Sequence, residues 1–384
     1  MQKIQHSSTT IFHYSVFYEA IDGVYRIIFL SALCDFAVNL NLRFLIMTTK
    51  PKIRVAIAGA GMVTLHHLRA WRKLPQVEVV AICARHMANA EARAAEFNIP
   101  AAYDDVAAML DREKPDALDI ATPPQVHREQ ANMAADRGID ILCQKPMTPD
   151  LAESERLVAE VGDRVRFMVH ENWRFRPQYR QAARWLEEDR LGSVREFHLT
   201  TRSSGLVMRN DSGTPLALER QPFLAGLKRF IIMELLVHHL DTVRYLVGPV
   251  SVAAAGTARS STEVVGEDAA LISLKAAGGA FGTVVGNFSA AGFPPLPSDR
   301  LVLIGDKASI IFEGNVLRLS GESEKTVSFN LEQAYQQSYD NAIAHFTQAL
   351  EQDTPFETDR LDNLQSLKLM EDAYRKAGGD GIVN

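Results

Sequence analysis

The sequence predicts an α/β protein: an N-terminal Rossmann-type, doubly wound parallel sheet, followed by an α+β domain on an open, largely antiparallel sheet. Three observations predict this. A short apolar strand runs through a glycine turn into a helical pattern over residues 52–71. Strands and helices then alternate to about residue 145, the pattern of parallel strands joined by crossover helices. From about Phe197 onward, short strands follow one another through glycine-containing turns, which implies hairpins and antiparallel pairing.

The elements are justified in order. Lys52 to Ala58 reads as a short buried strand, and Gly59-Ala60-Gly61-Met62-Val63-Thr64 follows it directly. Leu65, Leu68 and Trp71 then fall on one face of a helix. This strand, glycine turn, helix context makes the glycine spacing informative. Gly59 permits the tight turn, and Gly61 lets the backbone of Met62 and Val63 approach a pyrophosphate at the helix N-terminus. Thr64 stands where a third glycine or alanine normally allows close helix–strand packing, and small Ala56 and Ala58 are the expected compensation. Val77 to Cys83 is the second strand. It ends in Ala84-Arg85-His86, without the carboxylate that bonds a ribose 2′-hydroxyl. Arg85 is read either as the partner of a 2′-phosphate or as a solvated turn residue, so the cofactor is NAD or NADP. Helices over 88–97, 106–110 and 126–136 alternate with strands over 117–121 and 140–143. Ligands bind at the carboxyl ends of such strands, which places Thr122, Pro123, Gln144 and Lys145 towards the cofactor. In the second domain, strands are expected over 197–201, 269–275, 280–287, 301–304, 309–312 and 316–319, with helices on one face of their sheet and a second subunit on the other.

The bulk numbers exclude several classes. The chain has 384 residues, 47% hydrophobic and 23% charged, which is ordinary globular composition with core enough for two domains. Its 41 basic and 47 acidic residues give a net charge of −6 with no basic block, so nucleic acid is not an expected partner. Cys34, Cys83 and Cys143 are odd in number and widely spaced, which fits neither a disulfide framework nor a zinc site. Two reduced core cysteines in a cytoplasmic protein are expected, with no metal. Residues 1–46 do not fit the rest. Their longest apolar run, Ile27 to Cys34, is far short of the roughly 20 residues of a membrane span, and as a signal peptide the segment is poor, because its n-region holds only Lys3 and the apolar run starts late. The expectation is an upstream extension with the native start at Met47, the alternative being a membrane-associating leader, then a dinucleotide-binding domain over 47–170 and a substrate-binding, oligomerising domain over 171–384.

Several motifs occur together. They are Gly59-x-Gly61, Thr122-Pro123 with His127 four residues after the proline, and Gln144-Lys145-Pro146. Asn172-Trp173-Arg174-Phe175-Arg176-Pro177 follows, then Glu234 through His238 to Asp241, and Pro355-Phe356-Glu357-Thr358-Asp359 ahead of a final helix. In this order they resemble the glucose–fructose oxidoreductase, inositol dehydrogenase and MocA family, from Lys52 to the end. The family usually reads Glu-Lys-Pro where this chain has Gln144-Lys145-Pro146, and Asp where it has Glu234. The resemblance implies a nicotinamide-dependent dehydrogenase acting on a CH–OH group of a small sugar, with an open sheet used for homo-oligomerisation.

Roles for the site residues follow from chemistry and resemblance together. Glu234 and His238 are four apart on an apolar stretch, one turn apart on one helical face. Neutral imidazole suits removal of a hydroxyl proton at neutral pH, and a carboxylate one turn away is expected to orient it. The resemblance makes His238 the proton acceptor, Lys145 the orienting and relay residue, and Glu234 the supporting acid. It sets Asn172 and Arg174, with His238, on substrate hydroxyls, and His127 near the cofactor. An aldose oxidised to its lactone, a pentose such as xylose or apiose, is the first substrate expectation. Inositol or another polyol is the second, and a non-catalytic dinucleotide-dependent sugar sensor is the rival class.

Overall fold

The computed structural model describes residues 16–21, 24–29, 51–321 and 324–378. The chain divides between Lys52 and Ile53 into two compact units. In the first, β1 (Val16–Ile21) and β2 (Val24–Phe29) pair antiparallel as a two-stranded sheet. Cys34 and Met47, and with them the expected native start, lie outside the described residues.

The second unit begins with β3 (Ile53–Ala58), α1 (Met62–Trp71), β4 (Val77–Cys83), α2 (Met87–Phe97), β5 (Ala101–Tyr103), α3 (Val106–Glu113) and β6 (Ala117–Ile120). A 3-10 turn over Pro124–Val126 leads into α4 (His127–Ala135), then β7 (Asp140–Gln144), α5 (Leu151–Val161) and β8 (Phe167–His170). Every pairing among these strands is parallel, and their order is β5-β4-β3-β6-β7-β8. The order reverses between β3 and β6, so their carboxyl ends flank the crevice where ligands of such sheets sit. The expected parallel, doubly wound sheet is therefore present. β5, α5 and β8 were not anticipated. The signal for α5 was nonetheless there: Asp150 caps the helix by accepting from the backbone N–H of Glu153. Cys83 closes β4 and Cys143 is the next-to-last residue of β7, both as buried free thiols.

A second sheet follows a 3-10 turn over Trp173–Phe175 and α6 (Pro177–Glu187). Its elements are β9 (Val194–Arg202), α7 (Leu216–Arg220), a π-helical turn over Ile231–Leu236, α8 (Val237–Val247), β10 (Val250–Ala258), β11 (Ala269–Ala276) and β12 (Phe281–Asn287). They continue with β13 (Ser298–Gly305), β14 (Ala308–Glu313), β15 (Val316–Gly321) and β16 (Lys325–Ser328). The eight strands run β10-β11-β12-β9-β13-β14-β15-β16, and only the β12–β9 pairing is parallel. Burial alternates along β11 and β12, with Ile272, Leu274 and Val284 inside and Leu271 and Phe281 outside. α8 and α10 (Arg360–Lys376) pack on the inner face. The unanticipated α9 (Leu331–Gln352) returns to lie along α1, where its Ile343 and Phe346 share a core with Ile57, Leu68 and Trp71. The backbone N–H of Val169 then donates to the Thr358 carbonyl, so residues just before α10 extend the β8 edge. Among the described residues, no helix is long and apolar enough to cross a membrane.

Candidate active site

The glycine turn after β3 meets the needs of a dinucleotide. Gly59 has φ +116°, and a Cβ there would fall 2.3 Å from the Ala121 carbonyl oxygen after β6. Glycine alone lets these two strand ends approach so closely. A Cβ on Gly61 would meet nothing within 4 Å, so its surface is open to a ligand. Gly61 is also the N-cap of α1, and no side chain caps the helix. The first backbone N–H groups, those of Met62 and Val63 included, are thus left for an anion. These features fit a pyrophosphate. Thr64 is fully buried together with Ala56 and Ala58, in keeping with the compensation expected at that position. Arg85 is exposed and the first turn of α2 carries no acidic residue.

At the next strand ends, the structure separates residues that face the crevice from residues that brace it. Lys145 follows β7, joined to Pro146 by a cis peptide bond. His127, expected near the cofactor, is fully buried and braces the loops instead. Its Nε2 lies 2.7 Å from the Thr122 carbonyl and its Nδ1 3.1 Å from the Pro146 carbonyl, tying the β6 and β7 loops together. The hydroxyl of Thr122 donates to Gln130 at 2.7 Å, and Pro123 is exposed. Gln144 enters a buried chain. Its Oε1 accepts from the Lys145 backbone N–H, so Nε2 faces two rings, His67 Nε2 at 2.7 Å and His170 Nδ1 at 3.1 Å. His67 Nδ1 then reaches Asp119 Oδ2 at 2.8 Å, which also accepts from Trp71 Nε1.

The second domain brings Glu234 and His238 to this edge, but not as a simple helical pair. The turn holding Glu234 is π-helical, so the expected one-turn stacking on a single α-helix is replaced by a shifted register. Its carbonyls take side-chain donors. The Glu234 carbonyl accepts from Lys145 Nζ at 2.8 Å, and the Leu235 carbonyl faces His239 Nδ1 at 3.1 Å. The Glu234 carboxylate also pairs with Lys145 Nζ, at 3.3 Å. Glu234 therefore holds the lysine, and its expected role as orienter of the imidazole passes elsewhere.

The carboxylate that meets the imidazole is that of Glu171, a residue the sequence did not single out. Its Oε1 lies 2.5 Å from His238 Nδ1 and also accepts from the Trp173 backbone N–H. The Trp173 ring stacks on the imidazole with centroids 4.5 Å apart and planes 13° apart. The Arg176 guanidinium covers the indole at 3.3 Å. Asp299 gathers this wall by accepting from Trp173 Nε1, Arg176 and Tyr179 and pairing with His239. Burial raises the Asp299 carboxyl, but His239, Arg176 and these hydrogen bonds outweigh it and hold the group well below the usual carboxylate range. Burial, with Lys145 adding to it, holds His238 well below an ordinary histidine. Burial also pushes Glu171 up to about 7. So short a contact needs one shared proton, and placing it on Nδ1 leaves Nε2 with its lone pair. His238 Nε2 makes no hydrogen bond to any described residue.

Two expected substrate ligands are occupied in the fold. Arg174, its side chain 5% exposed, forks onto Asp241 at 2.7 and 2.5 Å and also binds Asp362 and the Glu357 carbonyl. Asn172 donates to Ser338 Oγ at 2.7 Å, tying the end of β8 to α9. Both brace the fold here, because buried charges and amides need partners and these find them in the protein. A carboxylate between His170 and Asn172, at the carboxyl end of a strand, was the signal that Glu171 offered. Among the described residues, no group of three or more His, Cys, Asp and Glu stands ready to hold a metal ion.

Residues 53–170 match a family model described as an oxidoreductase family with NAD-binding Rossmann fold. Residues 179–311 match the GFO/IDH/MocA C-terminal domain. A D-apiose dehydrogenase of Rhizobium rhizogenes is 29% identical over 347 residues, covering 87% of this chain and 97% of its own. A D-apiose dehydrogenase of Paraburkholderia graminis is 36% identical over 228 residues, 59% of this chain, and this chain spans only 58% of its length. Among solved structures, an oxidoreductase from Agrobacterium radiobacter in complex with NAD+, L-tartaric acid and magnesium superimposes with a TM-score of 0.78 at 27% identity. That match covers 85% of this chain and 96% of the other.

Proposed function

Since this chain belongs to the GFO/IDH/MocA family of NAD-binding oxidoreductases, we propose that it oxidises a hydroxyl-bearing carbon of a small sugar, an aldopentose such as apiose or xylose, to the lactone. One observation carries the reading: a buried imidazole with Nδ1 held by a carboxylate and Nε2 open, beside a lysine ammonium. NAD, when bound, supplies the acceptor for the carbon-bound hydrogen. The protein's own part is proton transfer and positioning. His238 Nε2 takes the hydroxyl proton as the carbonyl forms, and a base kept unprotonated by burial is ready for that step near neutral pH. Lys145, fixed by Glu234, points its ammonium at the substrate oxygen and stabilises the negative charge that grows there. Gly59, Gly61, Met62 and Val63 supply the pyrophosphate seat, with Gln144 and Lys145 at the nicotinamide end. The names of the two relatives support a pentose over inositol.

The outer face of the eight-stranded sheet supports a companion reading. There Leu271 and Phe281 are 48% and 57% exposed, and we read that face as the surface on which copies of the chain meet. Light scattering on wild type and Phe281→Glu tests this, and an unchanged mass in the variant refutes it.

The catalytic reading is tested by absorbance of reduced nicotinamide. NAD and NADP are offered separately with pentoses, hexoses and inositols, with Lys145→Ala and His238→Ala as controls. Turnover of a pentose, lost in both variants, supports it. Dinucleotide binding without turnover of any sugar refutes it and favours a sensor.

A further inference from the structure

We propose that Glu171 is the positioning residue of the reaction, fixing His238 as the tautomer protonated at Nδ1 so that Nε2 presents its lone pair to the substrate hydroxyl. The inference rests on the reading of His238 as the base.

Three features carry it. The contact is direct, 2.5 Å from Glu171 Oε1 to His238 Nδ1, across 67 residues of chain. Glu171 is itself 1% exposed and held, because the same oxygen accepts from the Trp173 N–H. The imidazole is also held in plane, since Trp173 stacks on it and is pinned in turn by Arg176 and Asp299. Ring rotation is thereby hindered, and Nδ1 is kept facing the carboxylate. The alternative acid, Glu234, is engaged with Lys145. The charged and titratable groups facing the pair are Lys145, Glu234, His239, Arg174, Arg176, His170, Asp241 and Tyr339. The other carboxylates are taken by cations of their own, Glu234 by Lys145, Asp241 by Arg174 and Asp299 by Arg176, so an imidazolium formed by proton abstraction has Glu171 as its acid in contact. Glu171 supplies the compensating negative charge at Nδ1. When the hydroxyl proton moves to Nε2, the Nδ1 proton stays between His238 and Glu171, and no further proton acceptor is needed. A carboxylate behind an imidazole acts in this way in the Ser-His-Asp triad, where loss of the correct tautomer costs on the order of 10⁴ in kcat.

The test is nitrogen NMR of histidine-labelled full-length protein, with the His238 signal identified by its loss in His238→Gln. It is read alongside kcat, KM and NADH affinity. In wild type, Nε2 reports as the unprotonated nitrogen. Glu171→Ala is expected to mix the tautomers and lower kcat on the order of 10²–10⁴-fold, with NADH affinity within about twofold. Should that variant not fold, Glu171→Gln decides. Its amide oxygen must still face the Trp173 N–H, so the tautomer is kept while the charge is lost, and kcat falls with KM unchanged. A wild-type His238 protonated at Nε2, or an unchanged kcat and tautomer in whichever variant folds, overturns the proposal. Absence of any sugar turnover in wild type would sink the catalytic reading instead, and the NMR arm would still report on the tautomer.

Discussion

Gln144→Glu is nearly isosteric, yet it should be among the costlier single changes in the nucleotide-binding half. The Gln144 amide gives its two protons to His67 Nε2 and His170 Nδ1, at 2.7 and 3.1 Å. A carboxylate offers only acceptors. His170 can adapt, because its Nε2 has no partner and its proton can move to Nδ1 to meet the new carboxylate. His67 cannot: it keeps its proton at Nδ1 for Asp119, and supplying a second at Nε2 requires a charged ring at a fully buried position. One hydrogen bond is lost at about 1 kcal/mol, and one buried acceptor is left unsatisfied at about 1–3 kcal/mol. The expected loss is about 2–4 kcal/mol. The assay is urea unfolding at pH 8, where proton uptake gives least relief. The midpoint should fall at an unchanged m-value. A variant within about 1 kcal/mol of wild type would refute the donor assignment of this chain of side chains. The same argument explains the departure from Glu-Lys-Pro: with His67 Nε2 fixed as an acceptor by the Asp119 bond at Nδ1, the residue facing it must donate.

Three other outcomes are expected. Arg174→Met strands Asp241 at a fully buried site and should destabilise by about 3–5 kcal/mol, read by thermal melts, with sugar KM in the folded fraction within about twofold; a raised KM at unchanged stability would restore Arg174 as a substrate ligand. Stability should fall as pH drops below about 6.5. Burial holds His127, His170 and His238 below the model value, so the unfolded chain takes up protons there while the folded one does not, and this stability is lost as pH falls towards the folded-state values. Glu171, raised to about 7, acts in the opposite sense between there and the ordinary carboxyl range, so one carboxyl opposes three rings and denaturant melts at pH 6.5 and 5.5 should show a net loss of stability at the lower pH. A flat profile would contradict neutral burial of these rings. Gly61→Ala should keep wild-type stability within about 0.5 kcal/mol, the usual range at open sites, while weakening NADH at least about tenfold in fluorescence titration. Gly59→Ala should also destabilise, because its Cβ strikes the Ala121 carbonyl. Equal melting of the two variants would argue against that clash.

Much of the fold was legible because its signals are local. Apolar runs marked β3, β4, β6 and β7, and the glycine spacing after β3 marked the crevice. Two of the elements missed, α9 and β10, have patterns that depend on what covers them. α9 lies on α1, from the far end of the chain, and β10 is an edge strand. At the site, Lys145, Glu234 and His238 were found by type and order, and the structure brings them to one edge. Their partnerships were not legible. A four-residue spacing joins two side chains only on a regular α-helix, and the π-helical turn over Ile231–Leu236 breaks that condition.

The sequence by itself determined the two-domain α/β architecture, the strand ends that face the cofactor and the residue types available for proton transfer. Periodicity, turn sterics and side-chain chemistry act over a few residues and can be read without knowing the fold. Only the tertiary structure decided which acid serves which base. Glu171 meets His238, Glu234 meets Lys145, and Arg174 is given to Asp241. Each partner lies more than sixty residues away. The choice follows from burial: a desolvated charge takes the nearest group that satisfies it, and chain packing sets which group that is.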